Sequence, residues 1–171
     1  ALHPELLTII IPRHATRGEE ILQTLQPAMT NSILRSNGSV ITNTTDIYIA
    51  DTMGELGLFY RLTEVVFMGK SLMPLGGQNP LEALNLNCSV LHGPHMANFQ
   101  WISEQMIKLG CSVQVNNAEE LTQAISDLLL DDKKRNEMIR IGKNFIKSQS
   151  KVINSVTSEI NKILLANHAN T

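Results

Sequence analysis

The sequence predicts an α/β fold, a Rossmann-like doubly wound parallel sheet. Short apolar runs alternate with helical segments along most of the chain, which is the βα order of this fold class. The runs are apolar almost throughout, as is typical of parallel strands that helices cover on both faces. The length of 171 residues fits one domain of roughly 100 to 200 residues, and the 43% apolar content suffices for a single core.

The predicted elements follow one another along the chain without an internal repeat. Strands are predicted over residues 6–11, 32–35, 47–50, 64–68, 89–91 and 111–115. Helices are predicted over residues 17–28, 54–62, 80–86, 98–109 and 118–130, the last with Leu121, Ile125 and Leu128 on one face. Residues 36–46, rich in Gly, Asn and Thr, are predicted to be a loop. Everything after Asp131 is predicted to be helical, so residues 132–171 are expected to form C-terminal helices.

Charge and cysteine usage exclude several classes of function. Fourteen basic residues against sixteen acidic ones leave a net charge of −2, and no basic run is interleaved with aromatics, so nucleic-acid binding is not expected. Cys88 and Cys111 lie in apolar stretches without CxxC spacing, which predicts reduced core thiols in a reducing compartment. No apolar run approaches the 18 residues of a membrane span, so the chain as given is expected to be soluble. Its start, close to a strand, predicts a further domain on the N-terminal side.

Three helix starts share one pattern at the strand-to-helix turns, where open α/β sheets bind ligands. Residues 16–19, 52–55 and 79–82 each place a capping residue three positions before a glutamate, which is the capping-box spacing. Amide groups at such helix starts suit phosphate or carboxylate oxygens.

The third helix start carries additional signals. Asn79 is expected to cap the helix, Pro80 to open it, and Gly76-Gly77 to allow a ligand close to the backbone. This stretch is interpreted either as an anion cradle or as a plain helix start. It lacks the GxGxxG and GxxxxGK[ST] spacings, so neither NAD binding nor ATP hydrolysis is favoured.

Several motifs in fixed order resemble one family. They are Pro12-Arg13-His14, the run from Ala50 to Tyr60, Gly69-Lys70-Ser71-Leu72, the run from Gly76 to Glu82, and Gly93-Pro94-His95 with Asn98-Phe99. In these motifs, which span residues 10–100, the chain resembles the C-terminal domain of 3-deoxy-D-manno-octulosonic acid (Kdo) transferases. One departure is Gln78, where family members often carry histidine.

The resemblance implies the C-terminal half of a two-domain GT-B glycosyltransferase, an inverting and metal-independent enzyme. Such an enzyme moves Kdo from CMP-Kdo to a lipid A precursor in lipopolysaccharide biosynthesis. The catalytic base, the acceptor site and the membrane-attaching segment would belong to the absent N-terminal half. The resemblance therefore implies that residues 1–171 form the donor-binding domain, have no catalytic residue or cofactor, and do not turn the donor over alone. The parent would lie at the cytoplasmic face of the bacterial inner membrane.

The donor-binding residues implied by the resemblance lie in the same motifs. Glu82 is expected to accept hydrogen bonds from the ribose hydroxyls, because a carboxylate offers two acceptor oxygens. Asn79 and the amides around Gly76 and Gly77 would face the donor phosphate or the Kdo carboxylate. Gly54 and Glu55 would lie beside the same ligand, and Met53 is interpreted either as a core residue or as a contact of the cytosine.

The remaining site predictions concern the ends of two strands. Arg13 is expected to pair with an anionic oxygen through its planar guanidinium, with His14 beside it. His95 and Asn98 are expected to close the nucleotide pocket. No histidine pair has metal-ligand spacing and no DxD motif is present, so no bound metal is predicted.

Other functions remain open on the same scaffold. The chain could be half of another GT-B transferase or of a UDP-sugar epimerase. It could also be a non-catalytic domain that has kept the fold and lost the site.

Overall fold

A computed structural model of the chain describes residues 3–28 and 30–168, with the side chains of residues 150–159 and 161–168 left outside this description. The chain forms two compact units, Ala1–Leu62 and Thr63–Thr171. Hydrogen bonds group the described strands into two parallel sheets of three, one in each unit. The predicted α/β class and the parallel strands are confirmed. Each unit has a buried apolar cluster of its own, where a single core was expected.

The first unit contains strands β1 (Thr8–Ile10), β2 (Ser32–Leu34) and β3 (Ile47–Ile49), with β3 paired in parallel to both others. Helix α1 (Gly18–Leu25) connects β1 to β2 and is extended at both ends by single 3₁₀ turns. Helix α2 (Leu56–Leu62) follows β3. Each predicted element is present, and the ends that differ from the prediction lie one to three residues further in.

Strands β2 and β3 are joined by a loop without a helix, as predicted. Asn31, just before β2, forms hydrogen bonds to the far end of this loop. Its backbone amide donates to Oδ2 of Asp46 at 2.7 Å, and its side-chain amide donates to the carbonyl of Thr44 at 2.8 Å. Tyr48 of the central strand β3 and Phe59 of α2 are buried together, their ring centroids 6.2 Å apart.

The second unit contains strands β4 (Val65–Phe67), β5 (Ser89–His92) and β6 (Ser112–Gln114), paired in parallel in that order. Its helices are α3 (Pro80–Asn85), α4 (Gln100–Leu109), α5 (Ala118–Leu130) and α6 (Asp132–His168). The predicted C-terminal helices are thus one helix, α6, within the described residues.

The core of the second unit confirms the predicted face of α5. Leu128 is buried with Leu91 of β5 and Met138 of α6, and Leu121 and Ile125 pack against this cluster. Apolar burial of this kind stabilises a fold by about 25 cal/mol per Å² of surface removed from water.

Both cysteines are buried in the second unit and neither forms a disulfide, as the sequence predicted. Burial raises the pKa of the Cys88 thiol and of the Cys111 thiol to about 11, because the thiolate is poorly solvated there. Both groups are therefore neutral at physiological pH. In the part of the chain that the structure describes, no helix is both long and apolar enough to span a membrane.

Arg135 anchors α6 to the rest of the second unit. Its side chain is only 10% exposed and donates to the backbone carbonyl of Leu128 and to Oδ1 of Asp132, the latter at 2.7 Å. Its Nε lies 2.8 Å from Oε2 of Glu64 in an ion pair whose geometry makes no hydrogen bond. The backbone carbonyl of Arg135 also accepts from the hydroxyl of Ser89.

Replacing Arg135 should therefore destabilise the chain. We expect Arg135→Met to lower the free energy of unfolding by about 1–3 kcal/mol, because it leaves a buried carbonyl without its donor. Urea unfolding followed by circular dichroism would measure this. Lys133→Met, an exposed change in the same turn, should stay within about 0.5 kcal/mol of the unchanged chain. Equal losses in the two variants would contradict the anchoring role of Arg135.

Candidate functional site

The carboxyl ends of parallel strands meet at one edge of each sheet. We call the loops that follow β1, β2 and β3, residues 11–17, 35–46 and 50–55, the first-unit edge. The loops that follow β4 and β5, residues 68–79 and 93–99, are the second-unit edge. All eleven predicted donor-binding residues lie in these loops or at the start of α3.

The first-unit edge is organised around the carboxylate of Glu55. Nε of Arg35 donates to Oε2 of Glu55 at 2.6 Å, its NH2 group donates to Oε1, and the hydroxyl of Thr52 also donates to Oε2. Arg35 donates further to the Tyr48 hydroxyl at 2.8 Å, and its guanidinium lies 5.7 Å from the Phe59 ring centroid. The hydrogen bonds from Arg35, and to a smaller extent the one from Thr52, lower the pKa of Glu55. The two carboxylate oxygens of Glu55 are therefore already occupied.

A second carboxylate, that of Asp51, ties β2 to β3 at this edge. Its Oδ1 accepts from the backbone amide of Ser36 at 2.8 Å and its Oδ2 from the Ser36 hydroxyl at 2.6 Å. Burial is the largest single influence and acts to raise the pKa of Asp51, but the hydrogen bonds from the Ser36 hydroxyl and from the backbone together outweigh it and the pKa is lowered. The first residue of α1, Gly18, packs so closely that an added Cβ would lie 2.6 Å from Asp51. The ends of all three strands are thereby linked.

The predicted residues of the first-unit edge differ in how available they are. Arg13 and His14 are exposed just after β1, and their side chains form no hydrogen bond or ion pair with the residues that the structure describes, although the His14 carbonyl accepts from the amide of Arg17. Met53 is 75% exposed, so its interpretation as a core residue is wrong. Gly54, with φ +85°, adopts a left-handed conformation that favours glycine. Glu55 is held by Arg35, as described above.

Two of the three predicted capping boxes are wrong. The chain enters α1 through a 3₁₀ turn, and neither that turn nor α1 has a side-chain cap, so Thr16 does not cap it. Helix α2 begins only after Glu55, and Thr52 bonds the Glu55 carboxylate instead of a backbone amide. The third is confirmed in part, since Asn79 does cap α3.

At the start of α3, Asn79 caps the helix through its immediate neighbours. Oδ1 of Asn79 accepts from the backbone amide of Leu81 at 3.1 Å, and Pro80 occupies the first helical position. Nδ2 of Asn79 donates to Oε1 of Glu82 at 3.2 Å, so the glutamate bonds the capping side chain and not its amide. Pro80 has no N–H and the amide of Leu81 is taken, which leaves the helix start with few amides to offer an anion.

The glycine pair of the second-unit edge is required by protein packing. An added Cβ at Gly76 would lie 1.8 Å from the carbonyl oxygen of Lys70, and one at Gly77 would lie 2.9 Å from that of His95. The backbone amide of Ala97 donates to the Gly76 carbonyl at 3.2 Å. The close approach predicted for a ligand is therefore made by the protein's own backbone.

The loop after β5 is held by Ser71 and His92. The Ser71 hydroxyl accepts from the amide of Gly93 at 2.6 Å, and the Ser71 carbonyl accepts from the amide of His95 at 2.9 Å. The His92 ring is buried and bonds the Gly93 carbonyl and the Ser112 hydroxyl. Burial lowers the pKa of His92 although its bond to the Gly93 carbonyl opposes this, and the neutral ring is thereby favoured.

The remaining predicted residues of the second-unit edge are accessible. Glu82 and Asn98 are exposed and His95 is half-buried. Residues that the sequence argument missed are Arg35, Asp51 and Ser71, whose side chains fix these loops. They lie one, two and four residues after the ends of β2, β3 and β4, and a polar side chain in that position is the signal that could have pointed to them. Within the described residues, no three His, Cys, Asp or Glu side chains lie close enough together to hold a metal.

The proteins found to be similar in sequence to this chain share one name. No family model matches the chain. A 3-deoxy-D-manno-octulosonic acid transferase from Haemophilus influenzae is 31% identical over 81% of this chain and 33% of its own length. One from Bordetella pertussis is 32% identical over 81% of this chain and 32% of its own length. The chain thus spans about a third of the length of the curated relatives it matches.

A solved structure is similar over most of both chains. The C-terminal CMP-Kdo binding domain of WaaA from Acinetobacter baumannii matches with a TM-score of 0.79 and 31% identity, covering 82% of this chain and 74% of that one. The fold and its strand-following loops therefore define a Rossmann-like α/β domain, the C-terminal half of a GT-B fold. At this identity and coverage, the chain belongs to the 3-deoxy-D-manno-octulosonic acid transferase family.

The paired carboxylate of Glu55 predicts a pH-dependent stability. Its folded pKa is lowered, so its contribution is present above the unfolded value of about 4.3 and is lost as the pH falls through the folded value. We expect Glu55→Gln to lower Tm at pH 7, with a difference from the unchanged chain that narrows towards pH 3. Thermal unfolding across this range measures both. Glu5→Gln, at an exposed carboxylate in the turn before β1, is the control and should change Tm little at pH 7. A Tm difference for Glu55→Gln that is constant with pH would refute the charge effect.

The packing of Gly76 predicts a second difference between variants. Gly76→Ala should cost about 1–3 kcal/mol of stability, because the new methyl group overlaps the Lys70 carbonyl and the loop must move. Gly69→Ala is the matched control, since an added Cβ there meets nothing within 4 Å. Chemical denaturation compares the two, and a Gly76→Ala chain as stable as Gly69→Ala would show that the loop is not tightly packed.

Proposed function

We propose that this chain is the donor-binding domain of a Kdo transferase, which moves Kdo from CMP-Kdo to a lipid A precursor in lipopolysaccharide biosynthesis. The observation that carries the proposal is the similarity, at a TM-score of 0.79 and 31% identity, to a domain described as CMP-Kdo binding. The proposed whole enzyme is an inverting, metal-independent glycosyltransferase at the cytoplasmic face of the bacterial inner membrane.

The proposal divides the work between this chain and a further domain. The catalytic base and the acceptor site would be supplied by the N-terminal half of the enzyme, so no catalytic residue is assigned here. This chain alone would bind the donor without turning it over. Its task in catalysis is to orient the donor and to offset the charge that develops on the departing CMP phosphate.

In the second unit, Glu82 is the residue proposed to recognise the nucleoside. Its side chain is exposed at the start of α3, and Asn79 contacts its Oε1 and so orients the carboxylate. Two ribose hydroxyls are the natural donors to such a group. Gly76, Gly77 and Asn79 shape the loop in front of it. His95 and Asn98, in the loop after β5, are proposed to border the same ligand.

In the first unit, Arg13 is the proposed ligand of an anionic oxygen. Its guanidinium is exposed and unpaired among the described residues, so it can donate two parallel hydrogen bonds to a phosphate or a carboxylate. His14 and the exposed Met53 are proposed as further donor contacts. Gly54 and Glu55 are proposed to give the turn after β3 its shape, because Arg35 already occupies the Glu55 carboxylate.

Calorimetric titration with CMP tests the proposal. We expect the chain to bind CMP in preference to UDP, and Glu82→Gln to weaken CMP binding about tenfold, because a hydrogen bond to a charged acceptor is lost. Glu104→Gln is the matched control: Glu104 is also an exposed helical carboxylate that accepts from a neighbouring amide side chain, that of Gln100 at 2.9 Å. Its CMP affinity should be unchanged.

The alternatives give different results in the same titration. A preference for UDP would favour another GT-B transferase or half of a UDP-sugar epimerase. A folded chain that binds neither nucleotide at millimolar concentration would favour a non-catalytic domain. Equal CMP affinity in the unchanged chain and Glu82→Gln would remove Glu82 from the site.

A further inference from the structure

Lys70 has an unusual backbone conformation at the second-unit edge. It lies three residues after β4 with φ +66°, in the left-handed region that side chains other than glycine enter at a cost. Such conformations persist where the surroundings enforce them, and they are concentrated at ligand-binding sites.

The surroundings of Lys70 enforce this conformation. Its carbonyl accepts from the backbone amide of Met73 at 3.1 Å and packs against Gly76, where an added Cβ would lie 1.8 Å away. The next residue, Ser71, is fully buried and bonds the loop after β5. The backbone of Lys70 is therefore held in place, while the residue as a whole is exposed to solvent.

The ammonium group of Lys70 is available to a ligand. Within the described residues it forms no ion pair, either with the carboxylate of Glu82 in α3 or with any other. A lysine placed only to offset Glu82 would be expected to pair with it.

An anion at this edge has few other groups to bind. Lys70 is the sole lysine or arginine between Arg61 and Lys108. Helix α3 is only six residues long, Pro80 has no N–H, and Asn79 already occupies the amide of Leu81. The start of α3 therefore cannot by itself neutralise a phosphate.

We infer that Lys70 binds an anionic oxygen of the donor, the phosphate of its CMP moiety or the carboxylate of its sugar. The inference rests on the proposed function and adds a residue to its site. The strained backbone holds the lysine at the carboxyl end of β4, and the side chain reaches from there to the ligand as a mobile point charge.

Titration of Lys70 variants of the chain tests this. We expect Lys70→Met, which keeps a long side chain, to bind CMP or CMP-Kdo about three- to tenfold more weakly at low ionic strength, with a smaller difference in high salt. Lys70→Arg should restore most of the affinity. A loss with CMP identifies the phosphate as the partner, and a loss with CMP-Kdo alone identifies the carboxylate. Uncharged cytidine should bind the unchanged chain and Lys70→Met equally.

A glycine variant separates binding from folding. Lys70→Gly relieves the left-handed backbone, so its Tm should be no lower than that of the unchanged chain although it loses the same affinity. Asn87→Gly is the matched control: Asn87 is exposed in the same unit with φ +68°, and this change should leave the affinity for CMP and CMP-Kdo unaltered.

The outcomes distinguish this inference from the proposed function. If the unchanged chain binds CMP and CMP-Kdo and Lys70→Met binds both within twofold of it, the inference about Lys70 is overturned and the proposed function stands. An equal loss with cytidine also overturns it, because the effect would then be structural. If the unchanged chain binds neither nucleotide, the proposed function fails and the inference with it.

Discussion

Parallel pairing is the constraint on which both units depend, because it sends every connection from the carboxyl end of one strand to the amino end of the next. Each unit therefore gathers its strand-following loops at one edge. The strands are only three or four residues long, so contacts within each edge must hold these loops in place. Arg35 and Glu55 do this in the first unit, and the close contact of Gly76 with Lys70 does it in the second.

Secondary structure was predictable from the sequence because apolar runs and helical periodicity are local. All six strands and the helices were placed, and the buried face of α5 with Leu121, Ile125 and Leu128 was correct. The helix caps were less predictable. Asn79 was right because its cap uses only its immediate neighbours, whereas Thr52 was wrong because Glu55 is engaged by Arg35, twenty residues away in the chain. No local pattern contains that partner.

The sequence predicted which loops the strand ends would gather, but not the contacts within them. The rule that ligands bind beyond the carboxyl ends of strands singled out the loops after β1, β3, β4 and β5 as the candidate site, and the motifs within them carried the family resemblance. The sequence pattern could not predict the hydrogen-bond and packing partners of each residue. Asn79 is engaged in capping, Glu55 in an ion pair, and the glycine pair in packing against protein backbone. Arg13, Glu82 and Lys70 keep the accessibility that a ligand requires.

The ionic anchor of α6 lies at the other end of the strands from the second-unit edge. Arg135 contacts Glu64, just before β4, and Ser89, the first residue of β5. Substitutions at this end change how firmly the helix is attached without reaching the loops beyond the carboxyl ends, since effects at separated positions largely add. Selection for heat tolerance and selection for a new ligand can therefore act on residues at opposite ends of β4 and β5. Protein engineering can therefore first substitute residues at the amino ends of β4 and β5 to raise stability, and then vary the loops at their carboxyl ends.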